Sequence, residues 1–175
     1  MALRKCLALL ECEASVKVVS LVFQKEFYEL SAGCIELIQD VFHTKYIEDC
    51  FLVVAATGEK ELNRDIYRYC EDNRILINVV DEPELCSFIV PAYLRRGDLT
   101  ISISTGGKSP ALAKRIKEEI ERKYPAEYAE YVKIMGLIRE RIMEKKHTQQ
   151  ERMQILTELS HLQCNVISDY YENMK

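Results

Sequence analysis

Short, unbroken apolar runs alternate with segments of helical periodicity through the first half of the chain, and this alternation limits the fold more than any other feature. Leu3, Leu7, Leu10 and Ala14 recur at helical spacing and lead into Val16-Lys17-Val18-Val19-Ser20-Leu21-Val22, which is rich in β-branched residues. Glu26 to Ala32 reads as a short helix closed by Gly33, and Ile35 to Ile38 as a second strand. Phe51 to Ala56 is apolar throughout and Ile75 to Val80 is apolar but for Asn78, as strands are when a parallel sheet is covered on both faces. Between them, Glu61 to Asn73 places Leu62, Ile66 and Tyr69 or Cys70 on one helical face. Strand, helix, strand in repetition predicts a right-handed parallel α/β sheet.

The rhythm changes after Pro83. Ile89 to Arg95 and Leu99 to Thr105 read as two strands joined through Arg96-Gly97-Asp98, a hairpin. Ser109-Pro110 opens a helix with a capping hydroxyl and a proline at the first helical position; it runs to about Lys123. Pro125 restarts the chain into a second helix through Lys145. Gln149 to Asn173 predicts a third, with Met153, Leu156, Leu159 and Leu162 as its buried stripe.

The 175 residues, nearly half of them hydrophobic, suffice for one compact domain and a smaller appendage. Twenty-four basic against 28 acidic residues leave a net charge of -4, which gives no electrostatic reason to expect nucleic acid or an anionic membrane. An anionic ligand must therefore meet a local basic cluster. The seven cysteines, Cys6, Cys12, Cys34, Cys50, Cys70, Cys86 and Cys164, form no C-x-x-C pair and no zinc-spaced array, so they read as buried free thiols in a reducing cytosol. No apolar run approaches about 18 residues, and the N-terminus lacks the apolar stretch of a secretory signal. A cytoplasmic, soluble protein is expected.

Few residues offer chemistry. Asp81 follows a buried strand, at the carboxyl edge where open α/β sheets place ligands, although a lone aspartate there is more often a turn former. Ser104-Thr105-Gly106-Gly107-Lys108-Ser109-Pro110 joins a strand to a helix start; its glycines, backbone donors, lysine and hydroxyls read either as an anion cradle or as a plain glycine turn. Gly107-Lys108-Ser109 resembles the end of a phosphate-binding P-loop, but the required first glycine falls on Ser102 and Pro110 follows, which argues against an NTPase. Arg95, Arg96, Lys108, Lys114 and Arg115 flank the same turn, as solvated charge or as receptors for a polycarboxylate. His43, His147 and His161 have no mutual metal spacing, so no metal site is expected, and no serine or cysteine has a recognisable base beside it.

Three segments carry a family resemblance: Phe51-Leu-Val-Val-Ala-Ala-Thr57, then Ile77-Asn-Val-Val-Asp81-Glu-Pro-Glu-Leu-Cys-Ser-Phe-Ile-Val-Pro91, then Leu99-Thr-Ile-Ser-Ile-Ser-Thr-Gly-Gly-Lys-Ser-Pro-Ala-Leu-Ala113. In order and at this spacing, over Arg4 to about Arg141, the chain resembles the precorrin-2 dehydrogenases, alone or as the dehydrogenase/ferrochelatase module of siroheme synthases. The resemblance implies a Rossmann-like NAD-binding domain over 1–91, a β-hairpin dimerisation region over 92–124 and a C-terminal helical domain over 125–175. It implies NAD-dependent oxidation of precorrin-2 to sirohydrochlorin, with Asp81 as the catalytic carboxylate. The macrocycle's carboxylates are then expected at Thr105, Gly106, Gly107, Lys108 and Ser109, where Thr105 stands for a serine of some relatives. The swapped hairpin implies a homodimer with the active site near the subunit boundary. Cofactor contacts are expected at Ser20, Leu21 and Val22 after the second family strand, and at Thr57 and Asn78 along the cleft.

One departure stands out. The family opens with a strand and a Gly-Gly-Gly-x-Val-Ala-x-Arg-Lys turn whose glycines let the pyrophosphate approach a helix. Here Met1-Ala2-Leu3-Arg4-Lys5 is what corresponds, with Met1 at the valine position. That strand is central in a doubly wound sheet, so its two neighbours are expected to lack main-chain partners unless they close on each other. The expected explanation is a start assigned too far downstream, or a shortened chain, ahead of an NAD-independent relative. Two alternatives to the dehydrogenase follow: a bifunctional enzyme that also inserts iron, and a non-catalytic tetrapyrrole-binding relative without the nucleotide site.

Overall fold

The computed structural model describes residues 1–30, 34–145 and 148–174, so the end of the expected Glu26–Ala32 helix, with Gly33, and His147 lie outside the described residues. The chain divides into two compact units, Met1–Val90 and Pro91–Lys175.

In the first unit, α1 (Ala2–Leu10) leads into β1 (Val16–Ser20). Its C-terminus closes at Glu13, which takes a left-handed φ of 60°. α2 (Lys25–Glu29) connects β1 to β2 (Ile35–Gln39), which pairs with it in parallel, Val16 opposite Ile35 and Ser20 opposite Gln39. β3 (Leu52–Ala55), α3 (Lys60–Asp72) and β4 (Leu76–Val79) form a second parallel βαβ unit, Leu52 opposite Leu76 and Ala55 opposite Val79. The alternation therefore produces the expected parallel strands and crossovers.

These strands form two separate two-stranded sheets rather than one. Among the described residues no ladder joins β1 to β3, so the two have not closed on each other, and each keeps an edge without a strand partner. The packing is divided in the same way. Cys6, Val16, Phe23 and Phe27 form one core beneath β1 and β2, with Phe23 and Phe27 edge to face at 5.7 Å. Ile47, Ala55, Ile66, Cys70, Ile75, Ile77 and Val79 form another between α3 and its two strands. A strand seated between β1 and β3 is what merges such halves in a doubly wound sheet.

The second unit opens with the hairpin, β5 (Ala92–Arg96) antiparallel to β6 (Leu99–Ile103). Gly97 takes φ 57° at the first of the two loop residues, a left-handed conformation that favours glycine in this turn, and a Cβ there would just touch Ala129 at 3.4 Å. Ser109 caps α4 (Pro110–Lys123) as expected, its Oγ accepting the Leu112 N–H at 3.3 Å. Along α5 (Tyr128–Glu144), Ile134, Ile138 and Ile142 recur every four residues and are buried.

The expected single helix over Gln149–Asn173 is instead two, α6 (Gln149–Ser160) and α7 (Cys164–Asn173). Thr148 and Glu151 form a reciprocal capping box at the start of α6. At its end the Tyr131 hydroxyl lies 3.4 Å from the Leu159 carbonyl and 3.1 Å from that of Ser160, satisfying groups that a continuing helix would have used. The break lets Leu159 and Ile167 both reach the α5 isoleucines. It also corrects the expected stripe, since Met153 is 67% exposed while Leu159 is buried.

Candidate active site

Each expected site residue of the first unit lies at or near the carboxyl end of its strand. Ser20 ends β1, and its hydroxyl donates to the Val22 carbonyl at 2.8 Å, folding the chain back over itself. Leu21 and Val22 consequently project outward, 61% and 78% exposed.

Thr57 follows β3 and is engaged within its own turn. Its hydroxyl donates to Asn63 Oδ1 at 2.7 Å and accepts the Glu59 N–H at 3.2 Å, while Asn63 Nδ2 points back to the Thr57 carbonyl at 3.4 Å. Asn63 sits in the first turns of α3 and is buried. Sequence reasoning missed it. A polar residue six positions after a threonine at a strand end, on an otherwise apolar helix face, was the available signal.

Asp81 occupies the turn after β4, exposed and left-handed, with φ 64°. Non-glycine residues rarely adopt this region, and aspartate tolerates it better than most because its short polar side chain can bond locally. The turn is built by residues downstream. Ser87 Oγ accepts the Ile77 N–H at 2.8 Å and Ser87 N–H donates to the Ile77 carbonyl at 2.9 Å. Cys86 Sγ accepts the Val79 N–H at 3.2 Å and lies 3.3 Å from the Val79 carbonyl and 3.4 Å from that of Glu82. Asn78, buried, donates through Nδ2 to the Phe88 carbonyl at 3.1 Å, so at least this end of its amide holds the loop. Residues 86–88 thus serve β4 as a neighbouring strand would. At the N-terminus, burial first and Arg4 second hold the Lys5 ammonium below the usual lysine range, and Cys86 acts in the opposite direction.

At the carboxyl end of β2, Asp40 accepts a short hydrogen bond from the Tyr46 hydroxyl and another from the Val41 N–H at 2.8 Å. The Tyr46 bond is the main reason its carboxyl is held below the ordinary range, and the same bond raises the Tyr46 phenol. This pair was not expected from the sequence.

In the second unit, Thr105 to Ser109 form the turn before α4. Gly106 and Gly107 take φ 59° and 78° with open space where a side chain would go, so they serve the turn's backbone rather than a close contact within it. The turn differs from a row of free donors. Gly106 N–H donates to Ser104 Oγ at 3.2 Å, Lys108 N–H to the Thr105 carbonyl at 3.1 Å and Ser109 N–H to Thr105 Oγ1 at 3.0 Å. Lys108 is exposed. Much of the flanking positive charge is engaged nearby: Arg96 Nε donates to the Tyr124 carbonyl at 3.2 Å, and Arg115 pairs with Glu119 at 2.7 Å. All seven cysteines are free, but Cys12 and Cys34 are exposed, so the expectation of uniformly buried thiols holds fully only for Cys6 and Cys70. Among the described residues no His, Cys, Asp or Glu cluster could hold a metal. No described helix is long and apolar enough to cross a membrane.

Comparison with known proteins places this arrangement. Residues 1–92 match the family described as "Putative NAD(P)-binding", and residues 96–123 the family described as "Sirohaem biosynthesis protein central". The chain belongs to the siroheme-synthase family. Its N-terminal unit is that family's NAD(P)-binding domain. The siroheme synthase of Photorhabdus laumondii subsp. laumondii is 35% identical over 152 residues, covering 86% of this chain and 32% of that one. The siroheme synthase of Pseudoalteromonas translucida is 34% identical over 148 residues, 83% and 31% of the two chains. The chain thus spans about a third of the length of the curated relatives it matches. The solved structure of SirC, precorrin-2 dehydrogenase, superposes with a TM-score of 0.75 at 25% identity, covering 97% of this chain and 88% of that one. The α/β fold with C-terminal helices is therefore that of a Rossmann-like dehydrogenase.

Proposed function

We propose that this siroheme-synthase family member oxidises precorrin-2 to sirohydrochlorin with NAD, and that Asp81 is its catalytic residue. The observation that carries the reading is the Asp81 turn: an exposed carboxylate in a strained, left-handed conformation, braced by residues 86–88, at the carboxyl end of a strand in an NAD(P)-binding unit. Strain of this kind persists where surrounding structure over-determines it, and it concentrates at functional sites.

A dinucleotide site at the carboxyl ends of these strands is supported by the surface found there. The exposed Leu21 and Val22 offer apolar surface where the β1 strand ends, beside Ser20, while Thr57 follows the end of β3 and Asn78 lies one residue before the end of β4. NAD, when bound, supplies the hydride acceptor. The Asp81 carboxylate takes the proton that leaves the macrocycle, a general-base role. Thr105, Gly106, Gly107, Lys108 and Ser109 receive substrate carboxylates, chiefly through the Lys108 ammonium and the exposed glycine backbone. In this reading residues 1–91 hold the cofactor, 92–124 form a homodimer through the hairpin, and 125–175 make up the C-terminal helical domain, in the cytoplasm.

A second reading is a tetrapyrrole-binding relative that does not use NAD. The experiment that separates the two is NADH formation from freshly made anaerobic precorrin-2, measured on this chain, on Asp81→Asn, and on a version with a strand and glycine-rich turn fused ahead of Met1. Turnover that collapses in Asp81→Asn establishes the dehydrogenase. Sirohydrochlorin binding with no turnover in either folded form refutes it in favour of the second reading.

A further inference from the structure

Among the described residues, Cys86 is the side chain whose hydrogen bonds reach the backbone on both sides of Asp81. Its sulfur accepts the Val79 N–H at 3.2 Å, two residues before the aspartate, and lies 3.4 Å from the Glu82 carbonyl, one residue after it. It also lies 3.3 Å from the Val79 carbonyl and 3.5 Å from Asn78 Nδ2. A neutral thiol has one proton to donate and can accept weakly, so it serves the Val79 N–H while donating to one of the two carbonyls. Val79 is almost fully buried, so its amide has no water to turn to if the sulfur is removed. The span thus bridged is the segment in which Asp81 takes φ 64°.

We infer that Cys86 is a positioning residue: its thiol clamps the Val79–Glu82 turn and thereby keeps the Asp81 carboxylate in its left-handed, outward pose. The inference deepens the dehydrogenase reading and rests on it for the function of Asp81, although the clamp itself is a property of the loop alone. Ser87 and Asn78 fasten the same loop to β4 at Ile77 and Phe88, which keeps the strand edge covered when the thiol is removed and makes Cys86 variants suitable for a folded-state test.

The test compares wild type, Cys86→Ala, Cys86→Ser and Asp81→Asn in the full chain. The direct readout is the strong intraresidue amide-to-Hα NMR cross-peak that marks a positive φ at residue 81; the functional one is steady-state NADH formation from precorrin-2. Cys86→Ala is expected to weaken the cross-peak and lower kcat about tenfold or more while the KM for NAD stays within about twofold, because only proton transfer is misaligned. Cys86→Ser, which keeps a donor and acceptors, recovers part of both. An unchanged cross-peak in Cys86→Ala overturns the clamp. A weakened cross-peak with wild-type kcat, alongside an inactive Asp81→Asn, overturns the positioning role. Full activity in Asp81→Asn refutes the catalytic reading instead, and the positioning role with it, leaving the cross-peak to decide the clamp.

Discussion

Replacing Asp81 by glycine, alanine and asparagine should separate what its backbone costs from what its carboxylate does. A left-handed φ costs an ordinary L-residue roughly 1–2 kcal/mol, and aspartate sits toward the low end because its side chain can bond locally. Glycine removes that strain but gives back roughly 0.4–1 kcal/mol through the greater freedom of its unfolded chain. Asp81→Gly is therefore expected to be neutral or stabilising by about 0.5 kcal/mol. Alanine pays the whole left-handed cost without the polar compensation, so Asp81→Ala should lose about 0.5–1 kcal/mol. The two variants then differ by about 1 kcal/mol, or roughly 2–4 °C in Tm for a chain of this size. Asparagine tolerates the left-handed region as aspartate does, so Asp81→Asn should melt with the parent. All three variants lack the base, and turnover should fall by about 10²–10⁴ in each. Urea denaturation followed by circular dichroism, with the NADH assay alongside, reads both. A glycine variant less stable than the alanine variant would show that residue 81 is not strained, and the case for a braced catalytic turn would fall with it.

Other consequences follow from neighbouring sites. Asn63→Ala removes the acceptor of the Thr57 hydroxyl and a buried amide, and should destabilise the first unit by about 1–3 kcal/mol in urea melts; an unchanged midpoint would mean that water replaces the pair without loss. Burial pushes the Cys70 thiol from 9.0 up to about 11. With the folded value above the unfolded one, its contribution is fully present below pH 9 and is lost as pH rises toward 11, at most about 3 kcal/mol. Stability measured from about pH 8 to 10 should therefore decline, and Cys70→Ala should flatten the slope even though it lowers the whole curve. Tyr46→Phe should let the Asp40 pKa rise back toward the ordinary carboxylate range in an NMR titration, because the phenol's hydrogen bond is the leading cause of its depression.

Periodicity carried most of the fold. The runs at 51–56 and 75–80 marked β3 and β4, and Ser109-Pro110 marked the start of α4, because each signal is local. The break between α6 and α7 was hidden, since no glycine or proline marks it and the cause is a hydroxyl on α5, far away in sequence. The site was legible in its prominent members and opaque in its supports. Asp81 announced itself by position, whereas Asn63 and Cys86 act on backbone groups that only the folded turn brings within reach. The glycine turn at 106–107 was recognisable as a turn, but its internal hydrogen bonds could not be read from composition.

The divided sheet bears on how far the two halves of the chemistry depend on each other. The Asp81 loop is assembled from β4 and residues 81–88, with its hydrogen bonds closing onto Ile77, Asn78, Val79 and Glu82. None of these bonds runs to the edges of β1 or β3 that lack a strand partner among the described residues. A dinucleotide, by contrast, lies across the crevice at the switch point of such a sheet, next to its central strand. A change at those edges is therefore expected to weaken cofactor binding before it disturbs the carboxylate. Cofactor binding and proton transfer are then separable, and a strand and glycine turn fused ahead of Met1 should change the KM for NAD without any change in the loop that carries the base.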